Sequence, residues 1–302
     1  MTPTARGISV PGKVFLLGEY AVLTGASAWV TAVAPRFEWL APGADGASPR
    51  NAGFHPESPA GRLLASRGKA EFAGRFVDPW EGRGGFGGST AEFAVVAWSE
   101  GVRGATEAWR EYRALSAGQP DLRRPSGADL VAQWEGGTVE WNPASERVTA
   151  LSETLRDFPV LMFSATHLPN RKTVTHSHLE ALASATLSFD SLLPSLERAR
   201  EGAGARDWSE VGRAFSAYAD SLAHLGLESP VVRNERLALS RHPGVIGAKG
   251  CGSLQTDAML VVVESLVGPA TEKVIAFAER ECSLRLLARG LPREPGIREI
   301  DA

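Results

Sequence analysis

Gly82–Trp98 reads GRGGFGGSTAEFAVVAW, and the rest of the chain is organised around it. Four of its first six residues are glycine, and Gly87-Gly88-Ser89-Thr90 leads into a helix-competent apolar run, Ala91–Trp98. Glycines let backbone N–H groups approach a ligand closely and adopt positive φ where needed. Ser89 and Thr90 are residue types favoured at helix N-caps. Bare amides feeding a helix N-terminus make an anion site, because unsatisfied N–H groups and the helix dipole point the same way. The stretch predicts a polyphosphate cradle, with a plain glycine turn as the alternative. Gly82-x-Gly84-x-x-Gly87 also matches the dinucleotide fingerprint formally, but Asp78-Pro79-Trp80-Glu81 precedes it in place of a clean parallel strand. The loop carries no lysine, so it is not a Walker A motif.

The 302 residues suit one large or two modest domains. An apolar fraction of 43% and a charged fraction of 22% describe an ordinary globule. The net charge of −3, with no long basic block, disfavours nucleic-acid binding. Two cysteines, Cys251 and Cys282, suit a reducing cytosol, and the N-terminus lacks a signal-peptide pattern, so the expected location is cytoplasmic. No apolar run approaches the length of a membrane span. Among 32 basic residues only Lys13, Lys69, Lys172, Lys249 and Lys273 are lysines, which makes their positions informative.

In chain order, Gly7–Leu17 reads as a strand broken by Pro11-Gly12, with Ala21–Val33 as its hairpin partner. Residues 41–62 read as loop. Helices are expected at Ser89–Ser99, Thr106–Ala117 and Gly127–Trp134, and strands at Thr138–Trp141 and Phe158–Ala165. Helical patterns dominate residues 175–240. A glycine-rich loop, Gly244–Gly252, then precedes a strand at Ala258–Glu264. This is an α+β chain of two lobes, residues 1–155 and 156–302.

Three further segments carry candidate chemistry. Lys13 lies inside the apolar PGKVFLLGEY, where desolvation favours meeting an anion or a carboxylate; an edge-strand lysine reaching solvent is the alternative. Asp129 follows Pro125-Ser126-Gly127 at the start of a helix, where a cap or dipole partner is equally expected. Gly247–Ser253, GAKGCGS, reads as a second glycine loop or a tight turn. His176 and His178 stand two apart, which on a helix points them to different sides, so they read as surface residues.

Taken together and in this order, PGKVFLLGEYAVLTG, GGFGGSTA, PSGADLVAQWEGG and GAKGCGS resemble the four motifs of the GHMP kinase superfamily, over nearly the whole chain. The first motif resembles the mevalonate-pathway branch, as does Phe163–Lys172. Gly18-Glu19-Tyr20 is more similar to phosphomevalonate kinases than to the Gly-Glu-His of mevalonate kinases. The resemblance implies a two-lobed α+β fold, with a ribosomal protein S5 domain 2-like N-lobe and a ferredoxin-like α/β C-lobe. It implies ATP and Mg²⁺ as cofactors, a small-molecule partner (mevalonate or phosphomevalonate), and no membrane or nucleic-acid partner; a homodimer is allowed. Residue by residue, it gives Asp129 the role of general base and Lys13 that of alkoxide stabiliser. Ser89 becomes the metal ligand, and Gly84, Gly85, Phe86, Gly87, Gly88, Ser89 and Thr90 hold the triphosphate. Glu19, Tyr20, Ser126, Gly127, Lys172, Lys249 and Gly250 fall on the acceptor side.

The chain departs from the superfamily pattern in three places. Gly88 and Thr90 stand where serine and alanine are usual, which would let Thr90 share the metal. The neighbourhood Ser116–Pro120 lacks the glutamate with which mevalonate kinases hold Mg²⁺, and Glu111 and Asp121 are off register. Ala248-Lys249 interrupts the last glycine motif, so Lys249 is expected to meet a substrate phosphate, as are Arg171 and Lys172. The implied activity is ATP-dependent phosphorylation of 5-phosphomevalonate. Mevalonate as acceptor and a non-catalytic metabolite sensor are the alternatives.

Overall fold

Pro11 has no N–H to give to a β-ladder, and the first hairpin is built around that gap. In the computed structural model, which describes residues 7–42, 54–82, 85–118, 124–165 and 188–301, β1 (Gly7–Leu17) runs unbroken through Pro11-Gly12. It pairs antiparallel with β2 (Ala28–Leu40), and the register shifts between Val10 and Gly12. A side-chain period of two makes any such shift exchange the faces of the strand. Ile8 and Val10 accordingly enter the core of the first lobe, while Val14 and Leu16 enter the core that joins the lobes. Lys13 shares the parity of Phe15, which packs against the first core, and so it faces the helices of its own lobe.

The first sheet has the order β10-β1-β2-β4-β5, where β10 is Arg298–Ile300, with β3 (Arg75–Val77) also on β2. β4 (Thr138–Asn142) and β5 (Arg147–Ala150) form a hairpin. Helices α1 (Pro59–Ser66), α2 (Gly88–Ser99), α3 (Ala105–Ala114) and α4 (Ala128–Glu135) share one core with this sheet. α2 is apolar nearly all round and buries seven residues from Thr90 to Ala97, as expected of a helix enclosed by neighbours. α1 starts within the stretch read as loop, capped by Ser58 Oγ on the Gly61 N–H at 3.1 Å.

The second sheet has the order β7-β8-β6-β9 and is antiparallel throughout: β7 (Val245–Cys251), β8 (Ala258–Val263), β6 (Val160–Ser164) and β9 (Arg285–Arg289). Alternate residues divide between its faces. Val160, Met162, Leu260 and Val262 meet α5 (Leu193–Ala205) and α6 (Trp208–His224). Leu161, Phe163, Met259 and Val261 meet α7 (Pro230–Leu239) and α8 (Pro269–Glu281). The first of these cores also takes in Val14, Leu16, Tyr20, Trp29 and Phe86, so one apolar core spans both lobes.

Two elements differ from the sequence reading. GAKGCGS is a strand as far as Cys251, because a Cβ on Gly247 would overlap the Gly212 carbonyl; the glycine lets α6 lie against the sheet. β10 (Arg298–Ile300) leaves the second lobe and pairs with β1. Arg36 holds this returning chain, donating to the carbonyls of Pro295 (2.6 Å) and Gly296 (2.9 Å) and to Ser9 Oγ (2.7 Å). No helix among the described residues is long and apolar enough to cross a membrane.

Candidate functional site

Gly87 is the point on which β1, α2 and α4 converge. Its φ of 88° is left-handed, and a Cβ there would stand 2.8 Å from Gln133 Nε2 and 3.1 Å from Lys13 Cγ and Thr90 Oγ1. It caps α2 without any side-chain hydrogen bond, so the helix presents its first N–H groups uncapped. Gln133, fully buried on α4, fixes this arrangement. Its amide donates to the carbonyls of Pro11 (2.9 Å) and Gly87 (3.1 Å), and its Oε1 accepts from Thr90 Oγ1 at 2.6 Å. The carbonyl of Pro11, freed by the register shift, is thus tied to the loop. A second bond joins them, from the Lys13 N–H to the Phe86 carbonyl at 3.1 Å.

Thr90 is turned inward. Its hydroxyl has one proton, and the short bond to Gln133 takes it, which leaves the 3.5 Å separation from Asp129 Oδ2 as proximity rather than a bond. The expectation that Thr90 shares a metal falls on a residue that is 2% exposed and whose hydroxyl is bonded to Gln133. Ser89, one residue earlier, is exposed at the start of α2, beside the Tyr112 phenol of α3. Burial, then the charge of Asp129, pushes the Tyr112 phenol well above its ordinary range. Asp129 sits in the first turn of α4, half-buried, with Oδ1 accepting from the Leu130 N–H at 3.0 Å and Oδ2 left open towards Thr90.

Lys13 is 8% exposed, and no carboxylate among the described residues pairs with it; its ammonium lies 5.1 Å from the Phe15 ring centroid. A buried ammonium without a counter-ion is costly. Lys13 and Asp129 both reach the start of α2, Lys13 through Cγ, 3.1 Å from a Cβ placed on Gly87, and Asp129 through Oδ2, 3.5 Å from Thr90 Oγ1. Ser126 and Gly127 precede Asp129, held by Trp109 Nε1 donating to the Ser126 carbonyl at 2.8 Å. Phe86 points away, fully buried and stacked on Trp80 at 3.8 Å between centroids, so only its backbone belongs to the loop. Gly88 has room: a Cβ would meet nothing closer than Phe37 at 3.6 Å, and the departure from serine there carries no steric consequence.

The acceptor-side residues fall elsewhere. Lys249 is completely buried and bonded to Glu19 Oε1, to its neighbour's carbonyl at Gly250 (2.7 Å), and lies 5.9 Å from the Tyr218 ring. A lysine neutralised in this way offers no free charge to a substrate phosphate, contrary to expectation. Gln255 Nε2 also donates to Glu19 Oε1 (2.9 Å), Tyr218 to the Glu19 carbonyl (2.7 Å), and the Leu254 N–H to the Tyr20 hydroxyl (2.9 Å). Burial above all pushes the Tyr20 phenol up to about 12. Gly250 is demanded by packing, since a Cβ would stand 2.5 Å from the Gln255 carbonyl. Glu19, Tyr20, Lys249 and Gly250 together form a latch between the lobes. Gly84 and Lys172, with Arg171, His176 and His178, lie outside the described residues.

Gln133 and Tyr112 were missed by sequence reasoning. Gln133 was legible in principle, one turn after Asp129 and on the same face of α4; Tyr112 carried no such signal.

The chain has the GHMP kinase fold. It is similar to a Lin0012 protein from Listeria innocua (TM-score 0.71, 14% identity, 98% of this chain and 100% of that one). It is also similar to the mevalonate kinase of Methanococcus jannaschii (TM-score 0.67, 14% identity, 97% and 100%). A third match is the Streptococcus pneumoniae phosphomevalonate kinase in complex with phosphomevalonate and AMPPNP (TM-score 0.65, 14% identity, 95% and 99%). No protein-family profile and no curated protein matches the chain by sequence.

The residues present suit a nucleotide with its divalent cation. Among the described residues no group of three or more His, Cys, Asp or Glu could hold a metal alone.

Proposed function

We propose that the protein is an ATP-dependent small-molecule kinase that transfers the γ-phosphoryl group to 5-phosphomevalonate. The observation that carries this reading is the convergence at Gly87: uncapped helix amides, a buried lysine with no carboxylate partner among the described residues, an exposed serine and an aspartate oxygen 3.5 Å from Thr90 Oγ1. Phosphoryl transfer needs positioning and charge neutralisation more than covalent chemistry, and those are the resources assembled here.

In this reading the α2 amides and Gly85–Thr90 hold the triphosphate, and Ser89 contributes a metal oxygen. Mg²⁺, when bound, would supply charge neutralisation for the phosphates. Lys13, driven by its own desolvation, stabilises the acceptor oxygen. Asp129 Oδ2 takes the proton of an alcohol acceptor, or orients an acceptor that is already anionic. The choice of acceptor rests on the similarity of Gly18-Glu19-Tyr20 to phosphomevalonate kinases and on the missing acid before Asp129.

ADP and carbon dioxide release are measured with mevalonate, 5-phosphomevalonate and 5-diphosphomevalonate in the presence of ATP and Mg²⁺. ADP with 5-phosphomevalonate alone is the expected result. ADP with mevalonate instead moves the acceptor, and carbon dioxide replaces the kinase with a decarboxylase. Tight ATP binding without turnover of any acceptor leaves a metabolite sensor. Asp129→Asn should cost about 10²–10⁴-fold in turnover with an alcohol acceptor and less with the phosphate.

A further inference from the structure

Glycine gives the phosphate loop its bare amides and takes away the side chains that would hold them in place. Gly85, Gly87 and Gly88 contribute none, Ser89 is exposed, and Thr90 is bonded to Gln133. That leaves Phe86. Its ring is fully buried in the core that spans both lobes, its carbonyl takes the Lys13 N–H (3.1 Å), and Gly87 follows it directly. Whatever fixes the Phe86 ring therefore fixes Gly87 and the backbone of Lys13 with it. Trp80 covers that ring, with centroids 3.8 Å apart and planes within 7° of parallel, so the two faces overlap. The indole packs against the interlobe core and against the core of the first lobe.

Trp80 is itself held at a local cost. Asp78 builds the turn that carries it: Oδ1 accepts the Trp80 N–H (2.8 Å) and Oδ2 the Gly82 N–H (2.7 Å). Glu81, between them, is at φ of 55°, left-handed for a residue with a Cβ. The indole Nε1 is buried and has no hydrogen-bond partner among the described residues. A buried donor left unpaired destabilises, and phenylalanine or leucine would fill apolar space there without one. Costs of this kind collect where a residue serves function rather than stability. Donors aimed at a phosphoryl group act at full strength only when their geometry is set before it arrives. We propose that Trp80 is a positioning residue for phosphoryl transfer, its indole clamping Phe86 so that the α2 amides and Lys13 keep the arrangement that receives the triphosphate. This rests on the kinase reading.

ATP binding is measured by calorimetry with Mg²⁺, turnover by ADP release, and hydrogen exchange by NMR at the Lys13 amide, whose acceptor is the Phe86 carbonyl. Trp80→Leu is expected to weaken ATP at least about tenfold and to cut turnover roughly 10²-fold, with the acceptor KM unchanged. Exchange at the Lys13 amide speeds up before any nucleotide is added. Trp80→Phe keeps a ring on Phe86 and drops the orphaned N–H, so it restores most of the ATP affinity and the slow exchange. A Trp80→Leu protein that melts lower but binds ATP like wild type, with Lys13 exchange unchanged, overturns the proposal and makes Trp80 a packing residue only. If Trp80→Leu fails a thermal-melt check of folding, Trp80→Phe decides: a loss of ATP affinity of about tenfold there, with the ring kept, overturns the clamp. A wild type that binds no ATP sinks the kinase reading and the transfer role with it, whereas ATP binding indifferent to Trp80→Leu sinks Trp80 alone.

Discussion

Lys13 in β1 and Lys249 in β7 are both strand lysines beside a glycine, at 8% and 0% exposure. Lys249 is matched by Glu19 and by a carbonyl at Gly250, and its charge is used up inside the protein. Lys13 has an aromatic ring face and a backbone bond to the loop, and no carboxylate among the described residues. Burial alone therefore does not separate a structural cation from a functional one; the counter-ion does. A buried pair trades desolvation against mutual attraction, whereas a buried single charge leaves that trade to be completed by a ligand.

The comparison is broken most severely at the paired lysine. Lys249→Met strands the Glu19 carboxylate and should cost about 3–5 kcal/mol of stability. Adding Glu19→Gln should recover much of it, and a denaturation double-mutant cycle reads the coupling. Additive losses would show that the two do not act as a pair.

Lys13→Met should do the reverse. Turnover falls about 10²–10³-fold, roughly 2.7–4 kcal/mol of barrier, while the melting temperature holds or rises because an uncompensated charge leaves the interior. A variant that loses activity only through unfolding would contradict this assignment.

A smaller contrast lies within the loop itself. Gly87→Ala meets both a left-handed φ and the Gln133 amide, and should lose about 1–3 kcal/mol together with nucleotide affinity. Gly88→Ser enters open space and should change stability by no more than about 0.5 kcal/mol. Chemical denaturation and ATP titration of the two variants side by side check the pair.

The smallest effect concerns an anion, Glu92 on α2. Desolvation, helped by the charge of Asp78, raises its carboxyl to about 7 from 4.5. A folded value above the unfolded one means that the stabilising proton is fully bound below about 4.5. Its contribution fades as pH rises through about 7. Glu92→Gln should therefore flatten the stability profile between those pH values and melt higher than wild type at pH 8. Parallel profiles would show that Glu92 is not responsible.

Much of this was legible in local sequence. The glycine run into an apolar helix, the Pro11-Gly12 interruption, and Asp129 behind Ser126-Gly127 each carry a signal that acts within a few residues. Helix α2, the hairpin of β1 and β2, and the second-sheet strands β6 and β8 follow from such signals. The segment GAKGCGS shows where local reading stops. Glycine density suggests a loop, but Gly247 is there so that the backbone of α6 can touch the sheet. β10 gave no hint of its partner, because a three-residue strand contains too little pattern to name a strand nearly 300 residues away.

The sequence by itself determined which groups this protein would have to place: amides without side chains, a lysine where water is scarce, an aspartate at a helix start. Those are properties of residue type and of spacing along the chain. Tertiary structure decided which charge was already answered. It spent Lys249 on Glu19, turned Thr90 into Gln133, left Lys13 without a carboxylate among the described residues, and brought Asp257 against Gly85 of the phosphate loop. Charge pairing depends on distances across space, and one register shift at Pro11 was enough to choose the face on which Lys13 stands.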